Sequence, residues 1–450
     1  MVSLPTASDT KAKRRGAPAR AARQTGRGRR RSPRAQASSG AADRTRRAPR
    51  RNARRQTVGQ RIRRAQTVSR APARPRRTFR VWLLEQSSKK VDAPLLLVTV
   101  MLLIVGLISL LSASYPKGYY NSEIGPFFYF SRQLGMAAVG LVLMWIVSCF
   151  DYKFYHRDWC ALLLYGTALL LLVLVLTPLG TELNNSQRWL FGFQPSEIAK
   201  LAIILLFAKL ASDMPASVRR IRGLLVYVLL IGVYIGLLAK EPHMSAAMIL
   251  IVIGFVILFV AGMHIWFLIP VGIGGAAIAV VAYLTLNHVQ ERVNIFLNPF
   301  LDARDTGYQA VQSLIAIGSG GAFGLGLGQS RQKFLYLPEP MNDFIFSVIC
   351  EELGFVGAGL ILILFAYFVY RGFSIARRAA DRFGCLLASG ITAQFAFQIL
   401  LNLAVVSGLF PVTGASLPLF SYGGTALVMQ LVEIGILLNI SRNIPPSKKE

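Results

Sequence analysis

The chain has 450 residues, of which 54% are hydrophobic, and its formal net charge is +29. A composition this apolar disfavours a single soluble domain and favours several membrane spans. The charge is also uneven, because residues 1–90 hold 28 Lys or Arg against 3 Asp or Glu, whereas residues 91–450 hold 22 against 18. The sequence therefore predicts a basic tail joined to a nearly neutral membrane body.

The N-terminal segment is rich in Arg, Ala, Ser, Gln and Pro over residues 1–80. Such a segment buries too little apolar surface to fold, so we predict that residues 1–90 form a disordered cytoplasmic tail. Three roles remain open for it: a solvated tail that only fixes topology, a tail that binds anionic lipids, or one that binds nucleic acid. No aromatic residue interleaves the arginines before Phe79, which weakens the nucleic-acid alternative.

Apolar runs recur through the rest of the chain, and a membrane span needs about 20 residues. We predict an all-α, polytopic membrane protein with about ten transmembrane helices. The predicted spans are residues 94–114, 131–150, 159–179, 196–212, 222–240, 244–262, 265–285, 343–370, 384–409 and 423–440. The fourth is short and contains charged residues. The eighth, at 28 residues, is longer than a bilayer demands and is expected to tilt or to project beyond it.

The distribution of basic residues predicts the orientation of these spans. If the tail starts in the cytoplasm and the chain crosses ten times, 40 of the 50 Lys and Arg lie on the cytoplasmic side. The C-terminal residues 443–450 then also lie in the cytoplasm. A large external loop, residues 286–342, precedes the eighth span, and its short apolar pieces at 295–297 and 314–317 are expected at the membrane surface.

Asp343 stands where the stretch Tyr336–Gly354 changes from polar to apolar. Two interpretations remain open from the residues alone. Asn342 or Asp343 would be a good N-cap for a helix that starts at Phe344. Alternatively, a carboxylate at the membrane edge beside basic residues would act as a general base. Further along the run, Glu351 and Glu352 are predicted to pair within the helix bundle.

Several other features have a structural and a functional interpretation. The glycine cluster 318–328 lacks the context of a nucleotide-binding loop and indicates either close backbone packing or N–H groups that meet a phosphate. Lys200 and Glu433 are predicted to pair within the bundle, and Trp189 is an interfacial anchor or a substrate contact. His243 and His264 are predicted to be interfacial residues rather than metal ligands. The four cysteines lack CxxC spacing, so we predict buried thiols with neither a zinc site nor a disulfide framework.

Four long motifs resemble one known family, the SEDS proteins FtsW, RodA and SpoVE. The motifs are GYQAVQSLIAIGSGG (Gly307–Gly321), GLGQSRQKFLYLPEPMNDFIFSVICEELG (Gly326–Gly354), QRWLFGFQPSEIAK (Gln187–Lys200) and LPLFSYGGT (Leu417–Thr425). The form of the second motif is more similar to the FtsW/SpoVE branch than to RodA. The resemblance covers residues 92–442 and implies a SEDS membrane domain over 91–442.

This resemblance implies a peptidoglycan glycosyltransferase of the bacterial cytoplasmic membrane. The expected substrates are lipid II and the glycan strand on undecaprenyl pyrophosphate, joined at the outer face of the membrane through a β-1,4 bond. The implied partners are a class B penicillin-binding protein and other divisome or sporulation membrane proteins, with the septum as the expected location. A lipid II flippase and a scaffold for the transpeptidase remain as alternatives.

The resemblance also implies roles for individual residues. Asp343 occupies the position of the essential aspartate of the family. Further candidate substrate-binding residues are Arg188, Trp189, Lys200, Arg292, Tyr308, Gln312, Arg331, Lys333 and Glu339. One base suffices, because pyrophosphate is a good leaving group. No metal site is predicted, although a divalent cation, Mg or Mn, could assist. Two departures from the family pattern are Met341-Asn342, where His-Thr is usual, and Pro242–Ala246, where Pro-Asp-x-Gly-Thr is common.

Overall fold

The computed structural model describes residues 90–445, apart from 122, 124, 184–185, 242, 286 and 301–306. The predictions for the tail at 1–89 and for residues 446–450 lie outside the described residues. The helices are α1 Ala93–Tyr119, α2 Phe128–Cys149, α3 Asp158–Val175, α4 Pro195–Asp213, α5 Ile221–Lys240, α6 Met244–Val260, α7 Leu268–Thr285, α8 Asn287–Leu297, α9 Tyr308–Ser319, α10 Ile345–Arg378, α11 Arg382–Val406 and α12 Gly424–Arg442. An antiparallel hairpin, β1 Gly180–Leu183 and β2 Ser186–Leu190, joins α3 to α4.

The all-α, multi-pass architecture predicted from the sequence is confirmed. Within the described residues, seven helices are long and apolar enough to cross a membrane: α1, α2, α3, α5, α10, α11 and α12. The other three predicted spans coincide with α4, α6 and α7. The first of these carries charged residues, and α6 has 17 residues. The exact number of ten crossings is therefore not established by length and composition.

Helix α4 contains charged residues because it lies inside the bundle. Most of its side chains are buried, and it packs against α3, α6 and α11. Its two lysines are paired: Lys200 Nζ is 2.8 Å from Glu197, and Lys209 Nζ is 2.5 Å from Asp158 and 2.7 Å from Asp213. The neighbouring helices thus shield α4, and its charges are neutralised by carboxylates, as buried charges require.

The unusual length of the eighth predicted span has a local cause. Helix α10 consists of two helical segments that meet at Gly354, whose backbone is non-helical with φ +67°. A side chain at this position would collide with the backbone of Gly324. Beyond the break the helix continues to Arg378. In this last part of the helix, Arg371 and Arg378 pair with Asp92, which directly precedes α1. The sequence pattern did not reveal the break.

The predicted helix cap before α10 is wrong. The helix begins at Ile345, and the residue before it, Phe344, makes no side-chain cap. The carboxylate of Asp343 therefore does not hold the first turn, because the helix starts one residue later than predicted. The side chain of Asn342 instead donates a hydrogen bond to Glu339 Oε2.

The glycine cluster packs closely against the first segment of α10. The amide of Leu325 donates to Glu351 O, and that of Gly326 donates to Glu352 O, both at 3.0 Å. A side chain at Gly320 would collide with the carbonyl of Cys350. Close backbone packing is thus the correct interpretation, and these two N–H groups are not available to a phosphate.

Candidate active site

Asp343 borders a cavity of about 330 Å3 at the N-terminal end of α10. Five parts of the chain surround it: the end of the hairpin with α4, the start of α6, α9, the segment before α10, and the region from α11 to the start of α12. Polar and charged residues dominate the wall: Arg188, Trp189, Gln194, Glu197, Lys200, His243, Ser245, Gln309, Glu339, Asn342, Asp343, Gln398, Thr413, Ser416 and Tyr422. A cavity with convergent polar groups is the expected form of a binding site.

The backbone before α10 is fastened to the rest of the bundle. Asn402 Nδ2 donates to the carbonyls of Asp343 and Ala415, each at 2.7 Å. Ser421 Oγ donates to Asn342 O at 2.6 Å. These bonds use main-chain atoms of the Asp343 segment, so its position is fixed while the carboxylate faces the cavity. Such support by neighbouring hydrogen bonds is what a precisely placed reactive group needs.

Burial and neighbouring charges shift the pKa of the Asp343 carboxyl group. Burial raises the pKa of Asp343, the negative charge of Glu339 raises it further, and Arg188 lowers it, with a result of about 6. A carboxyl with a pKa near the working pH is better suited to accept and release a proton than one with an ordinary pKa. The setting is that of a general base.

Two cationic side chains line the same cavity. Arg188 extends from β2 and influences the ionisation of Asp343, Glu241 and His243. Lys200 is buried and paired with Glu197, as predicted for a bundle residue, yet it also lines the cavity. Its predicted companion Glu433 accepts a hydrogen bond from Gln394 at 2.7 Å. The arrangement presents positive charge to a bound anion.

The structure brings together part of the predicted substrate-binding set. Arg188, Trp189, Lys200 and Glu339 line the cavity with Asp343. Tyr308 and Gln312 lie on α9, and of the residues on this helix it is Gln309 that lines the cavity. Arg331 is exposed and does not line the cavity. Arg292 lies on α8, and its side chain is outside the described part of the structure.

Lys333 is placed away from the cavity and is engaged elsewhere. Its buried ammonium lies 2.8 Å from Glu352 and donates to Ser112 Oγ at 2.8 Å and to Gly328 O at 2.7 Å. Glu351 accepts hydrogen bonds from Ser330 Oγ and from the amide of Arg331. The two glutamates therefore anchor the loop before α10, and a pyrophosphate contact from Lys333 has no support in this geometry.

Several cavity residues were not anticipated. His243, predicted to be interfacial, is only 6% exposed and lines the cavity. Its neighbour Glu241 is buried, and burial raises the pKa of Glu241 to about 8, although Arg188 lowers it. Gln398 could have been selected as a candidate site residue from the sequence, because it is a polar residue inside a predicted membrane span. Nothing in the sequence indicated that Thr413 and Ser416 reach the cavity.

Across the described residues, no group of three or more His, Cys, Asp or Glu is placed to hold a metal ion. The cysteines there are unbridged, and Cys149 and Cys350 are buried.

Comparison with known proteins agrees with this architecture. The profile of the FtsW/RodA/SpoVE family, described as cell cycle proteins, matches residues 93–445. Stage V sporulation protein E of Bacillus subtilis (strain 168) is 40% identical over 366 residues, which cover 79% of this chain and 99% of that protein. A probable peptidoglycan glycosyltransferase FtsW of Trichlorobacter lovleyi is 41% identical over 361 residues, which cover 78% and 93% respectively.

Solved structures show the same likeness. A chain from a study of the structural coordination of polymerization and crosslinking by a peptidoglycan synthase complex superposes with a TM-score of 0.67 at 29% identity, and the match covers 79% of this chain and 99% of that one. The rod shape determining protein RodA of Thermus thermophilus gives a TM-score of 0.56 at 29% identity, covering 79% and 97%. This chain therefore belongs to the FtsW/RodA/SpoVE family of cell cycle proteins, the SEDS family.

Proposed function

We propose that this protein is a peptidoglycan glycosyltransferase that polymerises lipid II at the outer face of the bacterial cytoplasmic membrane. The observation that carries the proposal is the carboxylate of Asp343, which faces a polar cavity that also presents Arg188 and Lys200. The names of the FtsW relatives, probable peptidoglycan glycosyltransferases, support the same reaction class.

The reaction assigns a separate task to each of these groups. Asp343 removes the proton from the 4-hydroxyl of the incoming lipid II sugar. The oxygen then attacks the anomeric carbon of the growing strand, which inverts as undecaprenyl pyrophosphate leaves. Arg188 and Lys200 offset the charge that develops on the leaving pyrophosphate. A second catalytic carboxylic acid is unnecessary, since this leaving group needs no proton.

A divalent cation remains a prediction for this site. Mg2+ commonly binds through one or two carboxylates together with substrate phosphates, and it retains several waters. Asp343 and Glu339 both line the cavity and are close enough for the charge of Glu339 to raise the pKa of Asp343. Glu339 would hold the ion together with the substrate phosphates, and the ion would neutralise pyrophosphate charge while the carboxylate of Asp343 stays free to accept the proton.

The partners and the location follow from the same proposal. The similar solved chain comes from a complex that couples polymerization and crosslinking, which supports a class B penicillin-binding protein as the partner here. Both termini are proposed to be cytoplasmic, with the cavity on the outer side. Relatives named FtsW and SpoVE are about equally similar, so the proposed setting is the division septum or sporulation.

Substitution of Asp343 tests the function directly. The purified protein, with a class B penicillin-binding protein, is incubated with fluorescent lipid II, and glycan strands are resolved by gel electrophoresis. Asp343→Asn should lower the polymerisation rate by about a hundredfold to ten-thousandfold, the usual contribution of a general base. Asp151→Asn is the matched control, since Asp151 lies in the α2–α3 connection and caps a short turn there.

The assay also separates the alternatives. Undiminished polymerisation by Asp343→Asn would refute the role of this residue. A flippase would move labelled lipid II across liposomes without elongating it. If the protein were only a scaffold, the unsubstituted protein would make no glycan strands in this assay, even with a partner whose transpeptidase is active. The thermal stability of each variant is measured in parallel, so that a loss of activity is not confused with unfolding.

A further inference from the structure

His243 has a buried nitrogen that the protein leaves without a partner. The residue lies between α5 and α6, and its side chain is 6% exposed and lines the cavity of Asp343. Within the described residues, its Nδ1 is buried and has no hydrogen-bond partner. Buried polar atoms in proteins are almost always satisfied, and one that is not calls for an explanation. At a cavity wall, that explanation is a partner supplied by a bound molecule.

The position of His243 relates it to the proposed base. Ser245, two residues further on, donates from Oγ to the carbonyl of Gly414 at 3.4 Å. Gly414 in turn lies against the carboxylate of Asp343 and the guanidinium of Arg188. The start of α6 is thus hydrogen-bonded to Gly414, which also lies next to Asp343 and Arg188. A ligand group bound by His243 would lie in the cavity where the reaction takes place.

The charges around His243 decide what it can bind. The titratable groups that share its cavity are Arg188, Glu197, Lys200, Glu339, Asp343 and Tyr422, and Glu241 lies two residues away. Burial, Arg188 and Lys200 hold the pKa of His243 well below its usual range. The imidazole is therefore neutral at physiological pH and offers one N–H and one lone pair.

A neutral imidazole suits an uncharged ligand group better than a phosphate. The two cations already on the wall are the natural contacts for pyrophosphate, whereas a single lone pair and a single N–H match a hydroxyl or an amide. The lipid-linked sugar of the proposed substrate carries both hydroxyl and acetamido groups. The cavity wall therefore offers cationic contacts at Arg188 and Lys200 and a neutral hydrogen-bonding contact at His243.

We propose that His243 binds an uncharged polar group, a hydroxyl or an acetamido group, of the lipid-linked sugar. This inference rests on the proposed function and adds a specificity-determining residue to it. The nitrogen that the protein leaves without a partner then receives one from the bound substrate. Sites that hydrogen-bond a substrate group reject ligands that lack it, because their buried polar groups are then left unpaired.

Binding measurements in an Asp343→Asn background test the proposal without turnover. The affinity of the detergent-solubilised protein is measured for lipid II and for undecaprenyl pyrophosphate, which lacks the sugar. His243→Leu should weaken lipid II binding by about tenfold or more, the loss expected for an unpaired hydrogen-bonding group, and leave undecaprenyl pyrophosphate binding unchanged. His243→Gln, which keeps a donor and an acceptor, should retain most of the affinity.

Two further readouts distinguish binding from a structural role. His243→Leu should not lower the melting temperature of the ligand-free protein, because it removes an unsatisfied polar atom from a buried position. His264→Leu is the matched control, since His264 is exposed beyond the other end of α6. It should change neither affinity.

The proposal would be overturned if His243→Leu left the affinity for lipid II unchanged. It would equally be overturned if this variant weakened the binding of lipid II and of undecaprenyl pyrophosphate to the same extent. It would also be overturned if the Leu and Gln variants lost stability and affinity together. Failure of the proposed function gives a different result: the parent protein with its partner makes no glycan strands, whatever the two affinities are. If neither the unsubstituted protein nor Asp343→Asn binds lipid II, both proposals fail.

Discussion

The carboxylate of Asp343 and the guanidinium of Arg188 converge on one glycine. A Cβ atom added to Gly414 would lie 3.5 Å from Asp343 Oδ2 and 3.5 Å from Arg188 Nη1. The two charged atoms are therefore separated by no more than twice that distance. Gly414 also has φ +75°, a conformation that favours glycine. Its missing side chain keeps the space between the proposed base and the proposed pyrophosphate contact open.

The pH dependence of the reaction should report the ionisation of Asp343. Because the pKa of Asp343 is about 6, kcat/KM should rise with pH through about 6 and level off above it, where the carboxylate is free to accept a proton. Glu339→Gln removes a negative neighbour that raises this pKa, so the acidic limb should move to lower pH. Rates of glycan synthesis from about pH 5 to about pH 8 measure both profiles. An acidic limb that stays in place or moves upward would contradict the assignment.

Glu241 should make the folded protein less stable as the pH rises. Its pKa is about 8 in the folded state against 4.5 for an ordinary glutamate, mainly because burial disfavours the charged form. Between these values the folded protein keeps a proton that the unfolded chain has released. The stabilisation is thus complete below about 4.5 and is lost as the pH rises towards 8, by at most about 1.4 kcal/mol per pH unit.

Glu241→Gln removes this ionisation while it preserves size. The melting temperature of the variant in detergent should therefore fall less than that of the parent between about pH 5 and about pH 8. Glu123→Gln is the control, because it makes the same change at an exposed position. Identical pH dependence in the parent and Glu241→Gln would show that Glu241 is not buried in its neutral form.

The ion pair between Lys333 and Glu352 should be required for stability. Both side chains are 3% exposed, so Lys333→Met leaves a buried carboxylate without its cation, at a cost of about 3–5 kcal/mol. The double variant Lys333→Met/Glu352→Gln should recover part of this loss. Lys117→Met is the comparison: Lys117 lies 3.9 Å from Glu339 and is 42% exposed, so its loss should cost at most about 1 kcal/mol. Equal costs for the two lysine variants, measured by thermal unfolding, would show that burial does not strengthen the Lys333 pair.

The break in α10 should tolerate no side chain. Gly354→Ala introduces a Cβ into contact with the backbone of Gly324 at φ +67°, so it should lower the melting temperature and detach the glycine cluster from α10. Gly359, in the continuous part of the same helix, has open space around its missing Cβ. Gly359→Ala should therefore be neutral or stabilising by up to about 1 kcal/mol, as is usual for this change in a helix. A Gly354→Ala variant as stable as Gly359→Ala would mean that the helix straightens without cost.

Predictions from neighbouring residues in the sequence were confirmed where contacts with distant parts of the chain did not override them. Each predicted span coincides with a helix, because the thickness of the hydrocarbon core sets the length of an apolar run. The capping prediction for Asp343 failed, although the residue type was suitable. Contacts from Asn402 and Ser421, about 60 and 79 positions away, hold this backbone segment, and α10 begins only at Ile345.

Which polar residues line the cavity is likewise decided by contacts between distant parts of the chain. Arg188, Lys200 and Lys333 are all basic residues near polar motifs, and no local pattern ranks them as substrate contacts. Packing places Arg188 and Lys200 on the cavity wall, whereas Lys333 meets Glu352 and Ser112 inside the protein. His243 carried no metal-ligand spacing, and only the fold shows that it lines the same cavity as Asp343.

Apolar length and long motifs, which are local properties of the chain, determined the membrane class and the family, and the family resemblance singled out Asp343 as the candidate base. The tertiary structure alone decided which side chains share the cavity with Asp343 and which are buried in pairs. The physical reason is that burial and electrostatic environment arise from contacts between helices far apart in sequence. Ser112 and Lys333, for example, meet across 221 positions. Such contacts are absent from any local pattern, and they also set the pKa of the proposed base.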